Sequence, residues 1–163
     1  MNVIIQVMAL KDMLRDNTKK VFSTMLNLQL EEIQENPGIT DTDEHWLEGS
    51  LFFGGSILGD FRVQVRENYS RKIASIMLGT EVNGIKSESE VHDVLKELAN
   101  MIGGNLRTQL SASGIKCDIS PPKIERRQNI DHSVPSGGRF ARIFFSQGIN
   151  YIIAEIHLRP YKI

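Results

Sequence analysis

A carboxylate and a carboxamide stand three positions apart, Glu97 and Asn100, inside the segment Ser87–Leu110. At 100° per residue, Val91, Leu95, Leu98, Ile102 and Leu106 of this segment share one face of a helix, flanked by Val94 and Met101. Asp93, Glu97, Asn100 and Gly104 fall on the opposite face. The acid and the amide therefore sit one turn apart and point away from their own core. Polar groups aimed outward on a rigid rod can act on another macromolecule. They are poorly placed to close around a metabolite, because small-molecule sites are concave.

The pair Gly103-Gly104 lies one turn beyond Asn100. Each helical glycine costs about 1 kcal/mol against alanine, so the pair requires a reason. Gly104 is on the outward face, where a missing side chain clears space for a partner's backbone. Gly103 lies near the boundary between faces, and close packing against a sheet or helix is open for it. Asn105 projects toward the apolar side and reads as a core amide satisfied by backbone groups.

Other chemistries find little support. His45, His92, His132 and His157 show no metal-ligand spacing, and there is no H-E-x-x-H. Gly54-Gly-Ser-Ile-Leu-Gly59 does not fit a nucleophile elbow. Gly103-Gly104 lies inside a helix, not between a strand and a helix, so it is not a phosphate-cradling loop. Cys117 is the sole cysteine, which excludes an intrachain disulfide and suits a reducing cytoplasm. Between Ile115 and Ile119 it reads as an inert apolar filler.

The elements that must position the pair can be read along the chain. Val3, Val7, Leu10, Leu14 and Val21 predict a first amphipathic helix over about residues 3–26. Leu28 and Leu30 suggest a short strand, and Glu35-Asn-Pro-Gly38 a turn followed by a polar loop to Glu44. Trp46–Phe53 and Ile57–Arg66 read as a hairpin around Gly54-Gly55. Phe61, Val63 and Val65 alternate with Arg62, Gln64 and Arg66, as in a half-buried antiparallel strand. A short helix follows, capped by Asn68 or Ser70, with Ile73, Ile76 and Met77 inward and Gly79 as its stop. Ser87 and Glu90 predict a capping box for the long helix, which Gly114 ends. Ile115–Ile124 is extended and interrupted at Pro121-Pro122, a sheet edge or strand junction. Residues 126–138 read as a mobile loop. Phe140–Ser146 and Asn150–Leu158 form a last hairpin, with Ile152, Ala154, Ile156 and Leu158 toward the core. The fold class is α+β: an antiparallel sheet packed against a long helix and two further helices, in one domain over residues 1–163.

Hydrophobic residues make up 40% and charged residues 24%, with a net charge of −1. These are globular values with no basic patch, which argues against nucleic acid as a partner. The apolar stretch Val3–Leu10 lacks a basic leader and a cleavage site, and is far shorter than the ~20 residues of a membrane span. Tyr151 and Ile153, opposite the core face of the last strand, would form an exposed apolar patch that a second copy of the chain could cover.

The run Asp93-x3-Glu97-x2-Asn100 resembles the signature of the CheC/CheX/FliY family of chemotaxis phosphatases. Glu97-Leu-Ala-Asn-Met-Ile-Gly-Gly-Asn105, Leu110-Ser and Ile119-Ser-Pro-Pro122 are similar to the CheX branch in particular. That branch carries one motif per chain, and the first helix here offers Met13-Leu-Arg-Asp-Asn17 and no Glu-x-x-Asn. The resemblance implies a CheC/CheX-like fold and a homodimer; the cytoplasmic location is the expectation set by the lone cysteine. It implies a phosphatase for the aspartyl phosphate of a CheY-like response-regulator receiver. Asn100 would orient the attacking water and Glu97 would dock the receiver lysine. Asp93 and Gly104 would lie in the same partner contact. No cofactor of its own is implied; Mg²⁺ would be held by the receiver. A non-catalytic binding module for a receiver or flagellar-switch protein would use the same outward stripe.

Overall fold

Glu88–Ala112 forms one unbroken helix of 25 residues, about 37 Å long at the usual rise, and the rest of the fold is arranged beneath it. The computed structural model describes residues 7–34, 36–39 and 44–160. In chain order the elements are α1 (Val7–Leu26), β1 (Glu31–Ile33), β2 (Trp46–Gly55), β3 (Ile57–Arg66), α2 (Glu67–Leu78), a 3-10 turn at Val82–Gly84, α3 (Glu88–Ala112), β4 (Cys117–Ile119), β5 (Lys123–Arg127), β6 (Arg139–Gln147) and β7 (Asn150–Pro160).

The strands form one antiparallel sheet in the order β1-β6-β7-β3-β2-β4, with β5 also pairing β2. The alternation read from the sequence fixes its two faces. Leu47, Leu51, Phe53, Phe61, Val63, Val65, Ile143, Phe145, Ile152, Ala154, Ile156 and Leu158 are all buried on the helix side. The inner faces of the helices meet them, with Leu10, Leu14 and Phe22 from α1 and Leu95, Leu98, Ile102 and Leu106 from α3. Each of these side chains larger than alanine stabilises the fold by roughly 1.5–3 kcal/mol on burial.

Two close approaches seat α3 on β2. A Cβ at Gly49 would lie 3.2 Å from the Ala99 methyl. A Cβ at Gly103 would collide with the Leu51 side chain. Gly103 is therefore the glycine that packing demands. The start of α3 is held as expected in part: Ser87 Oγ accepts from the Glu90 amide at 3.4 Å. The Glu90 carboxylate reaches back to the amide of Lys86 at 2.6 Å rather than to that of Ser87. At the other end Gly114 is left-handed, φ 88°.

Several local expectations are corrected. The first helix is described from Val7; Val3, Glu35 of the expected turn and the loop residues 40–43 lie outside the described residues. Leu28 and Leu30 precede β1, because β1 pairs through Glu31–Ile33 with Ser146–Phe144. The second helix begins at Glu67 after Arg66, without a side-chain cap, and Ser70 instead donates to the Glu67 carbonyl at 2.5 Å. Ile76 is exposed; Ile73, Ala74 and Tyr69 carry the buried face. Gly79 does stop the helix, with φ 66°. Pro121-Pro122 does fall at a junction, between β4 and β5, which both pair with β2.

The largest correction concerns residues 126–138. Arg126 and Arg127 belong to β5, and the residues after them form a strap pinned across the outer face of the sheet. Arg142 donates to the Glu155 carboxylate at 2.8 Å and to the carbonyls of Asp131, His132 and Ser133 at 3.1, 3.1 and 2.9 Å. Ile130 of the strap is buried with Trp46 and Ile153, and Ile39 and Phe144 pack around them. Ile153 is fully buried and Tyr151 half-buried. The exposed patch expected of Tyr151 and Ile153 is absent: the chain covers it with its own strap. The sequence argument for a dimer falls with it.

Candidate functional site

The outward stripe of α3 is present as read. Asp93, Glu97 and Asn100 are exposed, while Val94, Leu95, Leu98 and Ala99 around them are buried. The helix is continuous through all three, so the acid and amide stand about 4.5 Å apart along the axis. Among the described residues, no side chain bonds or pairs with Asp93, Glu97 or Asn100. Their hydrogen-bonding capacity is free for a partner, and Glu97 can offer both carboxylate oxygens to a cation.

Gly104 continues the stripe, and a Cβ there would meet nothing within 4 Å. The two adjacent glycines thus have different work: Gly103 touches the sheet and Gly104 leaves an open notch. Asn105 is half-buried rather than sealed in the core. Among the described residues no cluster of three or more His, Cys, Asp or Glu could hold a metal ion. No helix among them is long and apolar enough to cross a membrane.

Residues 49–146 match the family described as chemotaxis phosphatase CheX. The chain belongs to the CheX family. Among solved structures, a CheX chemotaxis protein from Vibrio vulnificus is similar over 96% of this chain and 100% of its own, with 22% identity and a TM-score of 0.76. A CheC-like superfamily protein from a Shewanella species covers 91% of this chain and 96% of its own at 24% identity, TM-score 0.74. A complex of CheX with CheY, beryllium fluoride and Mg²⁺ from Borrelia burgdorferi contains a chain similar over 91% of this one and 96% of its own, at 22% identity and a TM-score of 0.71. At these identities the likeness is one of fold. Among curated proteins, none matches in sequence. The CheX fold accounts for the α+β class read from the pattern of elements, with helices on one face of a curled antiparallel sheet.

Beyond Gly104 the stripe does not stop. Arg107, Thr108 and Ser111 follow on the same face and are exposed. With Gly54 and Gly55 of β2, and with Lys116, Cys117 and Asp118, they line a wide depression of about 620 Å³. Arg107 is fixed by bonds to the Cys117 carbonyl at 2.9 Å and the Asp118 carboxylate at 3.1 Å. Burial raises the Cys117 thiol above its usual range, partly offset by the Arg107 charge, in keeping with an inert side chain. The sequence reading missed this extension. Its helical half was visible as the same 3–4 residue period continued from Gly104. Its other half comes from β2 and from the β4 region, and no local pattern announces it.

Proposed function

We propose that this CheX-family chain hydrolyses the aspartyl phosphate of a CheY-type receiver, with Asn100 orienting the water and Glu97 docking the partner. The observation that carries this reading is the free, outward pairing of Glu97 and Asn100 on an unbroken helix. A receiver of this type supplies Mg²⁺ and a lysine beside its phosphoryl group, so most of the charge stabilisation is already in place. It lacks a well-placed water. The Asn100 amide can accept from and donate to one water and hold it in line with phosphorus. The water oxygen then bonds to phosphorus as the bond to the aspartyl oxygen breaks. Inorganic phosphate leaves, a carboxylate is restored, and the water's protons pass to phosphate and solvent. Asn100 takes no proton in this scheme, and the water is activated by position alone. Glu97 would meet the receiver lysine in a charge-assisted bond. Asp93, exposed one turn before Glu97, would sit at the edge of the same contact. Gly104 would admit the partner's backbone.

The test is the lifetime of a phosphorylated CheY-type receiver with wild type, Asn100→Ala and Glu97→Ala. Equal decay with wild type and Asn100→Ala defeats the mechanism. Capture of the receiver with no change in its phosphate lifetime supports the binding-module reading instead. A cytoplasmic location belongs to the same proposal, in keeping with such a partner and with the unpaired Cys117, and fractionation tests it. Dimerisation now rests on family resemblance alone; light scattering that shows only monomer removes it.

A further inference from the structure

We propose that the receiver-docking surface continues past Gly104 into the depression at the end of α3, where Arg107 and Lys116 receive an acidic segment of the receiver flanking its phosphorylated aspartate. This rests on the phosphatase reading and extends the same interface. The stripe from Asp93 to Ser111 spans about 27 Å of helix, close to the diameter of a small domain. A receiver seated with its phosphoryl group over Asn100 therefore covers ground at both ends. Nothing blocks it at Gly104, where even an added Cβ would stand in open space.

The charge along this path changes sign. Asp93 and Glu97 lie before Asn100; Arg107 and Lys116, with the single acid Asp118 on Arg107, lie beyond it. The Arg107 guanidinium is aimed by its bonds to the Cys117 carbonyl and Asp118, which leave it half exposed. Among the described residues Lys116 has no side-chain partner. Its backbone carbonyl is used, accepting from Ser56 Oγ at 2.7 Å, so the ammonium is set on a fixed strand-end. Lys116 is the unpaired cation here; Arg107 is shared with the exposed Asp118, so the depression keeps one net positive charge, and with Gly54 and Gly55 at its edge it suits a carboxylate carried on a protein segment. Nucleic acid fits poorly, since the stripe's other half is acidic. A small ligand fits poorly too, since the depression is wide and open. Charge at the rim of an interface acts mainly on encounter rate and salt dependence, so it would sort receivers by their surface without touching the chemistry.

Binding is measured with a CheY-type receiver held in its beryllium fluoride–Mg²⁺ form, at several salt concentrations. Lys116→Glu should weaken binding by about 3- to 10-fold and flatten its salt dependence. Ser111→Trp, which fills the depression from the exposed helix face, should weaken it by about 10-fold or more through bulk. Lys72→Glu on α2 makes the same charge change elsewhere and should leave binding as it is. All three should melt as wild type does. Wild-type binding by both Lys116→Glu and Ser111→Trp overturns the docking proposal and leaves the phosphatase reading standing. A wild type that binds receiver without turnover removes the phosphatase reading, and the same comparison still decides the docking. Failure of the wild type to bind any CheY-type receiver overturns both.

Discussion

Gly103 and Leu51 touch so closely that no side chain fits between α3 and β2 at that level. This contact sets the height of the long helix above the sheet. It also holds the helix in the rotation its apolar stripe prescribes, with Asn100, one turn earlier, at solvent.

The neighbouring glycines should respond in opposite ways to alanine. Gly103→Ala forces the helix off Leu51 and should cost about 1–3 kcal/mol of stability by overpacking. Gly104→Ala meets open space and should gain up to about 1 kcal/mol from helix propensity. If Gly104 clears a partner's backbone, the same change should weaken receiver binding. Chemical denaturation and a receiver-binding titration measure the two effects separately.

Asn100→Ala should leave the fold and receiver binding nearly intact. Losing the positioned water should slow dephosphorylation by roughly 10²-fold, the scale expected for a misplaced reactant. Single-turnover decay of the acyl phosphate at saturating protein is the measurement. A slowed decay that is rescued by adding more protein would point to docking instead.

Glu97→Ala removes a charge-assisted contact worth about 1.5–3 kcal/mol. The expected result is a dissociation constant raised at least tenfold, with a steeper loss for Glu97→Lys through repulsion. Because Glu97 is exposed and makes no internal bond, thermal melting should not change. A variant that also melts early would mean that Glu97 serves the fold.

Arg142 and Glu155 make the strap sensitive to pH. Burial raises the Glu155 carboxyl above its ordinary 4.5, with the Arg142 bond pulling it partly back. A raised carboxyl binds its proton more readily in the folded state. From this group alone, stability is gained as pH falls from the raised value toward 4.5 and is lost as pH rises through it. Arg142→Ala leaves the carboxylate buried without its cation and should cost about 3–5 kcal/mol at neutral pH. The missing guanidinium pushes Glu155 higher still, so the cost should shrink on mild acidification. Asp131, held below its usual range by its bonds to Ser133, titrates in the opposite sense. Variant and wild type are therefore unfolded side by side at each pH. A penalty that is flat with pH would show that the strap, not the charge, carries the loss. Amide exchange across residues 128–138 should rise in the same variant.

The helical period was legible because it is local. Val91, Leu95, Leu98, Ile102 and Leu106 repeat on a 3.6-residue turn whatever lies above them, so the stripe opposite could be read without coordinates. The strands of the two hairpins were legible for the same reason, through alternation and the glycines between them. The strap was not. Arg126–Gly138 is polar and glycine-rich, as mobile loops are, and nothing local tells that Ile130 will find Trp46 and Ile153. Nor could the pattern show that Tyr151 and Ile153 face a surface the chain covers itself.

Residue order along one helix was enough to place Glu97, Asn100 and Gly104 in a row and to turn that row outward, because side-chain direction in a helix depends only on position. Long-range packing had to settle the rest. It chose Gly103 for contact and Gly104 for clearance, folded the strap over the outer sheet, and brought Lys116 and Gly54 beside Arg107. Those outcomes depend on which distant segments meet, and a chain's local periodicity carries no information about that.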